Sequence, residues 1–460
     1  MNNFGWGSIA RLGLVQACLG SIVVLTTSTL NRVMVVELAL PALLPGLLVA
    51  FHYVVQLTRP RMGHGSDLGG RRTPWIVGGV AVLGLGGVLA AVAVAWMGSE
   101  RIPGIALAFV AFGLIGLGVS ASGTSLLVLL AKRVAPGRRA AAATIVWLMM
   151  IAGFAVTAGC VGPLLDPYSP ARLVQVTMAV TFAALFITLL AVYRLEGELP
   201  SNQPALAQPS QAASPKPRFL ESLTQVWAEP EARRFTAFVF VSMFAYNAQD
   251  LILEPFAGTV FGLTPGQSTS LSGLQHSGVF VGMLLAAFAG TQFGGRQIGT
   301  LRGWTVGGCL ASALALLGLV AAGLSGPVWP LKTTVFALGA ANGAFSIAAI
   351  ASMMRLAGEG REAREGMRMG LWGAAQAVAF GFGGLLGAAC SDLARRWIVS
   401  PGAAYALVFF MEALLFAWAA MLATRIEPAA SPAPQPQHEE DIQRSGGPGY
   451  RAPMEIREVM

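Results

Sequence analysis

The sequence is poor in charged residues. Asp, Glu, Lys and Arg together make up 11% of its 460 residues, whereas an ordinary globular protein has about 25%. So few charges cannot cover the surface of a soluble body of this size. Hydrophobic residues make up 55% of the chain, and its mean hydropathy is +0.65. The composition therefore excludes most soluble classes and indicates a protein that is solvated mainly by lipid.

The sequence also lacks several motifs of soluble enzymes. Its five aspartates stand far apart, without the D-x-x-x-D pair that could hold a magnesium diphosphate. There is no G-x-x-x-x-G-K-[ST] loop, which excludes ATP-driven transport within this chain. The four cysteines lie in apolar stretches without C-x-x-C spacing, which is typical of packing residues. We therefore expect no catalytic residue, no metal site and no covalent cofactor, and a protein that is not an enzyme.

What the chain does have is a series of long apolar segments. Each is long enough to cross about 30 Å of hydrocarbon as a helix. The segments are continuous runs rather than alternating patterns, so helices are favoured over a barrel. We predict an all-α membrane protein with twelve transmembrane helices in two six-helix bundles. The segments are 11–31, 42–58, 74–97, 103–131, 140–162, 172–193, 235–256, 270–293, 303–324, 329–354, 368–390 and 401–424.

A change of composition separates the two sets of six segments. Residues 194–230 are rich in Pro, Gln, Ser and Ala and show no apolar periodicity, as is typical of a flexible linker. We predict an N-terminal six-helix bundle over 1–193, a cytoplasmic linker over 194–230 and a C-terminal six-helix bundle over 231–425. The polar residues 426–460 cannot form a core, so we predict a disordered cytoplasmic tail there.

The distribution of Lys and Arg predicts the orientation. With the N-terminus in the cytoplasm, 24 of the 30 basic residues fall on the inner side and six on the outer side, which follows the positive-inside rule. Both termini are then cytoplasmic. The same bias explains the net charge of +8 without a nucleic-acid partner, since the basic residues are scattered over several inner segments. The six outer residues are Arg32, Arg101, Arg172, Lys332, Arg395 and Arg396.

The inner connection between the second and third segments contains a recognisable motif. The spacing in GHGSDLGGRR resembles the signature loop of the major facilitator superfamily. Two glycines allow a tight turn, and the acid and arginines can bridge neighbouring helix ends. A plain basic loop remains the alternative interpretation. The motif residues are Gly63, Asp67, Gly70, Arg71 and Arg72.

Ionisable residues within the apolar segments are functional candidates, because charge at membrane depth is costly. A proton-coupled transporter would use such groups in its cycle, whereas a neutral histidine could ligate the magnesium of a chlorin ring. For each histidine a structural role, pigment ligation and transport chemistry all remain open. We favour His52 over His276 as a ligand, since it lies near mid-span beside Tyr53. The candidates are His52, His276 and Glu412, with Arg32, Glu37, Asp250 and Glu254 nearer the outer interface.

Three stretches carry a resemblance to one family. They are STLNRVMVVELALPALLPG from Ser28, HYVVQLTRPRMGHGSDLGGRRTPWI from His52 and MGLWGAAQAVAFGFGG from Met369. Together they resemble the PucC/LhaA family of phototrophic bacteria, a branch of the major facilitator fold. The resemblance covers roughly residues 10–425, and the third stretch is its most specific part.

The resemblance implies a role in assembling light-harvesting complexes in the inner (intracytoplasmic, chromatophore) membrane of a phototrophic bacterium. The implied partners are the lipid bilayer, bacteriochlorophyll bound non-covalently, and either antenna polypeptides or bacteriochlorophyll synthase. His52, His276 and Tyr53 are the candidate pigment-binding residues. The alternative is a secondary, proton-coupled transporter of a pigment precursor or another apolar small molecule.

Overall fold

The computed structural model describes residues 4–59, 71–135, 138–196, 224, 227–290, 299–358 and 365–426. These residues contain twelve long helices. The helices are α1 Trp6–Glu37, α2 Leu43–Thr58, α3 Thr73–Met97, α4 Arg101–Arg133, α5 Arg139–Leu165, α6 Pro170–Val192, α7 Pro230–Phe261, α8 Pro265–Gly290, α9 Leu301–Ser325, α10 Leu331–Gly358, α11 Glu365–Trp397 and α12 Pro401–Thr424.

The all-α membrane architecture is confirmed. Within the described ranges, 11 helices are long and apolar enough to cross a membrane. Helix α2 is shorter: its 13 α-helical residues are followed by a three-residue 3-10 turn. At 1.5 Å per residue it covers about 24 Å, and residues 60–70 after it lie outside the described part of the chain.

The helix contacts repeat between the two halves. In the first half α1 packs against α5 and α6, α3 against α4 and α6, and α2 against α4. Adding six to each of these numbers gives the main contacts of the second half: α7 with α11 and α12, α9 with α10 and α12, and α8 with α10. The halves meet through α2 with α11 and through α5 with α8. Replacing each helix by its equivalent in the other half converts one of these pairs into the other. This pattern is the internal symmetry of a duplicated six-helix unit.

Several helices are longer than predicted, among them α1 and α7. Helix α1 contains two π-helical segments, Leu25–Thr29 and Val33–Glu37, and continues past residue 31 through the second of them. Its polar residues therefore lie inside the helix. Helix α7 continues past residue 256 with Pro255 in its interior and ends at Phe261, which is followed by Gly262 with φ of 65°. Proline is tolerated inside a membrane helix because neighbouring groups satisfy the freed carbonyl, and glycine adopts the left-handed conformation readily.

Every second connection between consecutive helices lies on the same face of the molecule. The α1–α2, α3–α4, α5–α6, α7–α8, α9–α10 and α11–α12 connections share one end, here named the predicted outer face after the charge distribution. Most of the predicted linker 194–230 and of the predicted tail 426–460 lies outside the described residues. The domain boundaries given above therefore stay predictions.

Candidate functional site

The two halves are joined near the predicted outer face by buried side chains of α1, α7 and α8. The Ser28 hydroxyl donates to the carboxylate of Glu254 and lies 3.1 Å from Ser272 Oγ. One residue further along α1, Thr29 Oγ1 lies 3.0 Å from Thr269 Oγ1. All five residues are buried. We name this set the cross-bundle polar cluster, because it satisfies polar groups at membrane depth only while the halves are in contact.

The next turn of α1 adds contacts to backbone carbonyls of the second half. Asn31 Nδ2 donates to the Leu251 carbonyl at 2.6 Å. Arg32 donates through Nη2 to the Leu263 carbonyl at 2.6 Å and through Nη1 to the Glu37 carboxylate at 2.5 Å. Arg32 is only 2% exposed, so its partners are what make a charge acceptable there. Arg32 and Glu37 thus form an ion pair that also links the two halves.

Two further acids lie deeper in the second half. Asp250 is partly exposed and accepts a long, 3.4 Å hydrogen bond from Gln275 Nε2. Its carboxyl group lies close enough to interact electrostatically with the side chains of Tyr53, Tyr246 and Glu412.

Glu412 on α12 differs from Asp250 because it is buried. It is 2% exposed, and neither carboxyl oxygen has a hydrogen-bond partner within the described ranges. An ionised, unpartnered carboxylate in such a place costs several kcal/mol. Among the residues that the structure describes, Glu412 lacks the kind of hydroxyl partner that Ser28 provides to Glu254.

His52 is held within its own helix. Its Nδ1 lies 3.3 Å from the Val49 carbonyl and its Nε2 lies 2.8 Å from the Gln56 side-chain nitrogen. Because Gln56 Nε2 can only donate, the His52 Nε2 lone pair is occupied and Nδ1 carries the proton. Gln56 in turn accepts a hydrogen bond from Arg59. In this conformation both ring nitrogens of His52 are engaged.

His276 on α8 has a different arrangement. Its Nδ1 lies 2.9 Å from the Ser272 carbonyl, and its ring makes an edge contact with Phe154, with centroids 5.0 Å apart. Since a carbonyl can only accept, Nδ1 carries the proton and Nε2 keeps its lone pair. No hydrogen bond to Nε2 occurs within the described ranges. The ring of His52 contacts Tyr53, with centroids 4.5 Å apart, whereas that of His276 contacts Phe154, so no contact among the described residues joins the two histidines.

Aromatic rings connect the two halves at the level of Tyr53. Its ring centroid lies 5.8 Å from that of Phe380 on α11, and Phe380 lies 6.4 Å from Tyr246 on α7. Tyr246 lies a further 6.4 Å from Phe345 on α10. Tyr53 and Tyr246 keep part of their surface exposed. The rings therefore form an apolar, aromatic surface at the interface between the two halves.

The motif loop is only partly described. Gly63, Asp67 and Gly70 lie outside the described residues. Arg71 and Arg72 directly precede α3, and the Arg72 amide donates to the Glu196 carboxylate at 2.9 Å.

Glu196 caps the start of α3 from the end of α6. It also accepts hydrogen bonds from the Thr73 amide at 2.9 Å and from Thr73 Oγ1 at 2.7 Å. Burial alone would raise the pKa of Glu196, but these hydrogen bonds and the Arg72 guanidinium outweigh it and lower the pKa. The cap connects two helices of the first half at their ends opposite the predicted outer face.

The sequence prediction missed most hydroxyl partners of the acids. Ser268, Thr269 and Ser272 lie one helical turn or less apart on α8, and all are buried. This spacing places hydroxyls on one face of an otherwise apolar helix. That signal was available, but its partners on α1 were not, because they lie about 240 residues away in the chain.

The architecture defines the class of protein. A solved D-xylose-proton symporter matches it with a TM-score of 0.73 and 13% sequence identity, over 92% of this chain and 98% of that chain. At this identity the likeness shows the fold alone. The protein is a membrane protein of the major facilitator fold.

Sequence comparison then gives the family. The model of the PUCC protein family matches residues 29–430. The chain is 55% identical over 436 residues to the bacteriochlorophyll synthase 44.5 kDa chain of Rhodobacter capsulatus, covering 94% of this chain and 98% of that protein. It is 29% identical to the protein PucC of the same organism, over 88% of this chain and 89% of that protein. The chain belongs to the PUCC protein family.

Proposed function

We propose that this protein is a non-enzymatic membrane factor that binds bacteriochlorophyll without a covalent bond. It delivers the pigment to antenna polypeptides or to the pigment-synthesis machinery in the inner, intracytoplasmic membrane of a phototrophic bacterium. The observation that carries this proposal is the 55% identity, over nearly the whole length of both chains, to a protein named as a chain of bacteriochlorophyll synthase.

The side chains at the interface between the halves support pigment binding. A histidine that ligates a metal commonly donates its other ring N–H to a backbone carbonyl, as His276 does with the Ser272 carbonyl. The ring of Phe154, whose centroid lies 5.0 Å from that of His276, offers stacking surface for a flat macrocycle. His276 would supply its Nε2 as a ligand to the central magnesium. His52 is the weaker candidate, since Gln56 occupies its Nε2.

The test is pigment retention by histidine variants. The protein is purified in mild detergent from pigment-replete membranes, and the bacteriochlorophyll absorption is divided by the protein concentration. We expect His276→Ala to lower this ratio at least fivefold. His52→Ala is the matched control and should keep it within about twofold of the wild type.

One outcome would contradict the proposal, and another would contradict the choice of ligand. Colourless wild-type protein from pigment-replete membranes would exclude pigment binding. Full pigment in His276→Ala with loss in His52→Ala would leave pigment handling in place and move the ligand to α2. Circular dichroism of both variants checks that they are folded.

A second candidate function is proton-coupled transport of an apolar small molecule. The observation that favours it is the set of three acids at membrane depth in the second half, Asp250, Glu254 and Glu412, two of which are buried. Membrane-embedded acids of this kind are typical of proton relays. The polar contacts between the halves would then break and reform as the halves move.

Flux into proteoliposomes separates the two candidates. Uptake of a labelled bacteriochlorophyll precursor that requires a pH gradient and is lost in Asp250→Asn would favour transport. Equal uptake with and without the gradient, or in the variant, would contradict it.

A further inference from the structure

A cavity of about 570 Å³ opens at the predicted outer face between the two halves. One wall comes from the end of α1 and the α1–α2 connection. The other wall comes from α7 and α11. Its volume falls within the 300–1,000 Å³ of ordinary ligand sites. The lining residues are Val35, Val36, Ala39, Leu40, Pro41, Thr259, Asp392, Arg395 and Arg396.

The charge of this cavity is positive. Both oxygens of Asp392 are engaged by the first amides of α2, at 3.0 Å from Ala42 N and 2.7 Å from Leu43 N. The start of α2 therefore offsets the negative charge of Asp392. Arg395 and Arg396 are exposed in the cavity, and neither has a carboxylate partner within the described ranges. Two guanidinium groups thus remain to attract an anion.

An aromatic ring contacts the Arg395 side chain. The Arg395 guanidinium lies 5.9 Å from the ring centroid of Tyr405, which is fully buried. Stacking on an aromatic ring restricts an arginine side chain and keeps its donors available.

The opposite wall of the cavity is apolar. Val35, Val36, Leu40 and Pro41 carry no charge and no side-chain donor. A purely ionic ligand would leave this wall in contact with water. A ligand with an acidic head and a hydrocarbon part would satisfy both walls at once.

We infer that the cavity binds an anionic phospholipid, with its phosphate on Arg395 and Arg396 and its acyl region on the wall from Val35 to Pro41. The site lies at a membrane face, where such lipids are available. Because its walls belong to different halves, a bound lipid stabilises the conformation in which the halves meet at this face. The inference does not depend on pigment handling or on transport.

Native mass spectrometry of the purified full-length protein tests this inference. The probes are dioleoylphosphatidylglycerol, dioleoylphosphatidylcholine and inorganic phosphate. We expect the anionic lipid to bind at least tenfold more weakly to the double variant Arg395→Gln/Arg396→Gln, which corresponds to about 1.4 kcal/mol. Arg101→Gln, an exposed arginine on the same face, is the matched control and should bind as the wild type does.

Thermal unfolding gives a second measurement on the same samples. The anionic lipid should raise Tm in the wild type and in Arg101→Gln but not in the double variant. Equal binding of both lipids, equal affinity of the double variant, or displacement of the lipid by equimolar inorganic phosphate would each overturn the inference.

Discussion

Single polar residues in this protein are stabilised by partners on other helices. Glu254 is acceptable at membrane depth because Ser28 and Ser272 lie beside it and Arg32 is close by. Glu412 has no such partner among the described residues. The difference between these two acids is one of surroundings and not of residue type, because both are glutamates in apolar helices. Removal of a hydroxyl beside Glu254 therefore has a larger effect than the loss of one hydrogen bond, since it leaves a buried acid unsatisfied.

Glu196 provides a prediction at the residue scale. Its pKa is lowered in the folded protein, whereas the unfolded value is about 4.3. A carboxyl group with a lowered pKa contributes stability above its unfolded pKa and loses it as the pH falls through the folded pKa. Glu196→Gln should therefore lower Tm at pH 7, and the difference from the wild type should shrink as the pH falls to about 4.

The control for this prediction is Glu100→Gln. Glu100 directly precedes α4, and its side chain makes no capping hydrogen bond. The substitution Glu100→Gln removes the same charge as Glu196→Gln. Its Tm should stay close to that of the wild type across the pH range. A loss of Tm in Glu196→Gln that is as large at pH 4 as at pH 7 would show that the cap does not act through its charge.

At the scale of helices, glycine allows the backbones to approach closely. A Cβ added to Gly282 on α8 would lie 1.9 Å from the Ala340 carbonyl oxygen on α10, and one added to Gly343 would lie 2.0 Å from the Val279 carbonyl oxygen. Lipid provides no hydrophobic drive for association, so membrane helices associate through such close packing. Helix α8 also packs against α5 of the other half, so its position affects the interface.

This packing predicts different effects on stability for two glycine substitutions. Gly282→Ala should destabilise the protein by about 1–3 kcal/mol, because the methyl group forces α8 and α10 apart. Gly307→Ala on α9 has open space around the new Cβ and should be neutral or slightly stabilising. Denaturant unfolding in detergent measures both. Equal stability of the two variants would contradict the close packing of α8 and α10.

At the scale of the whole molecule, the repeated helix contacts explain how a chain with few charges forms a defined interface. The halves meet through symmetry-related pairs, α2 with α11 and α5 with α8. Near the predicted outer face these pairs are joined by polar contacts, such as Asp166 to Thr264 at 2.8 Å. Each contact includes one residue from each half. Separation of the halves would break all of them together, which is a basis for two alternative arrangements.

The orientation of the molecule is testable by cysteine labelling. In a background without the four native cysteines, Ser99→Cys in the α3–α4 connection should react with a membrane-impermeant maleimide in spheroplasts. Ser210→Cys should react only in inside-out vesicles, since positive charge favours the cytoplasmic side. Labelling of position 210 in spheroplasts would invert the predicted topology.

The sequence by itself determined the fold class and the family. Twelve helical segments follow from the length of the apolar runs, because a bilayer requires about 20 such residues per helix. Helix ends were less predictable: Pro255 marks the end of the predicted segment, but α7 continues past it because neighbouring helices can satisfy a carbonyl that proline leaves free.

Only the tertiary structure decided which polar residues meet. Ser28 and Glu254 are 226 residues apart, and a sequence pattern reports periodicity within one helix and not the choice of partner helix. The same holds for the two histidines, which look alike in sequence, although Gln56 occupies the Nε2 lone pair of His52 and no described residue occupies that of His276. Local hydrophobicity sets the helices, whereas the packing of distant helices sets the hydrogen bonds of each buried side chain.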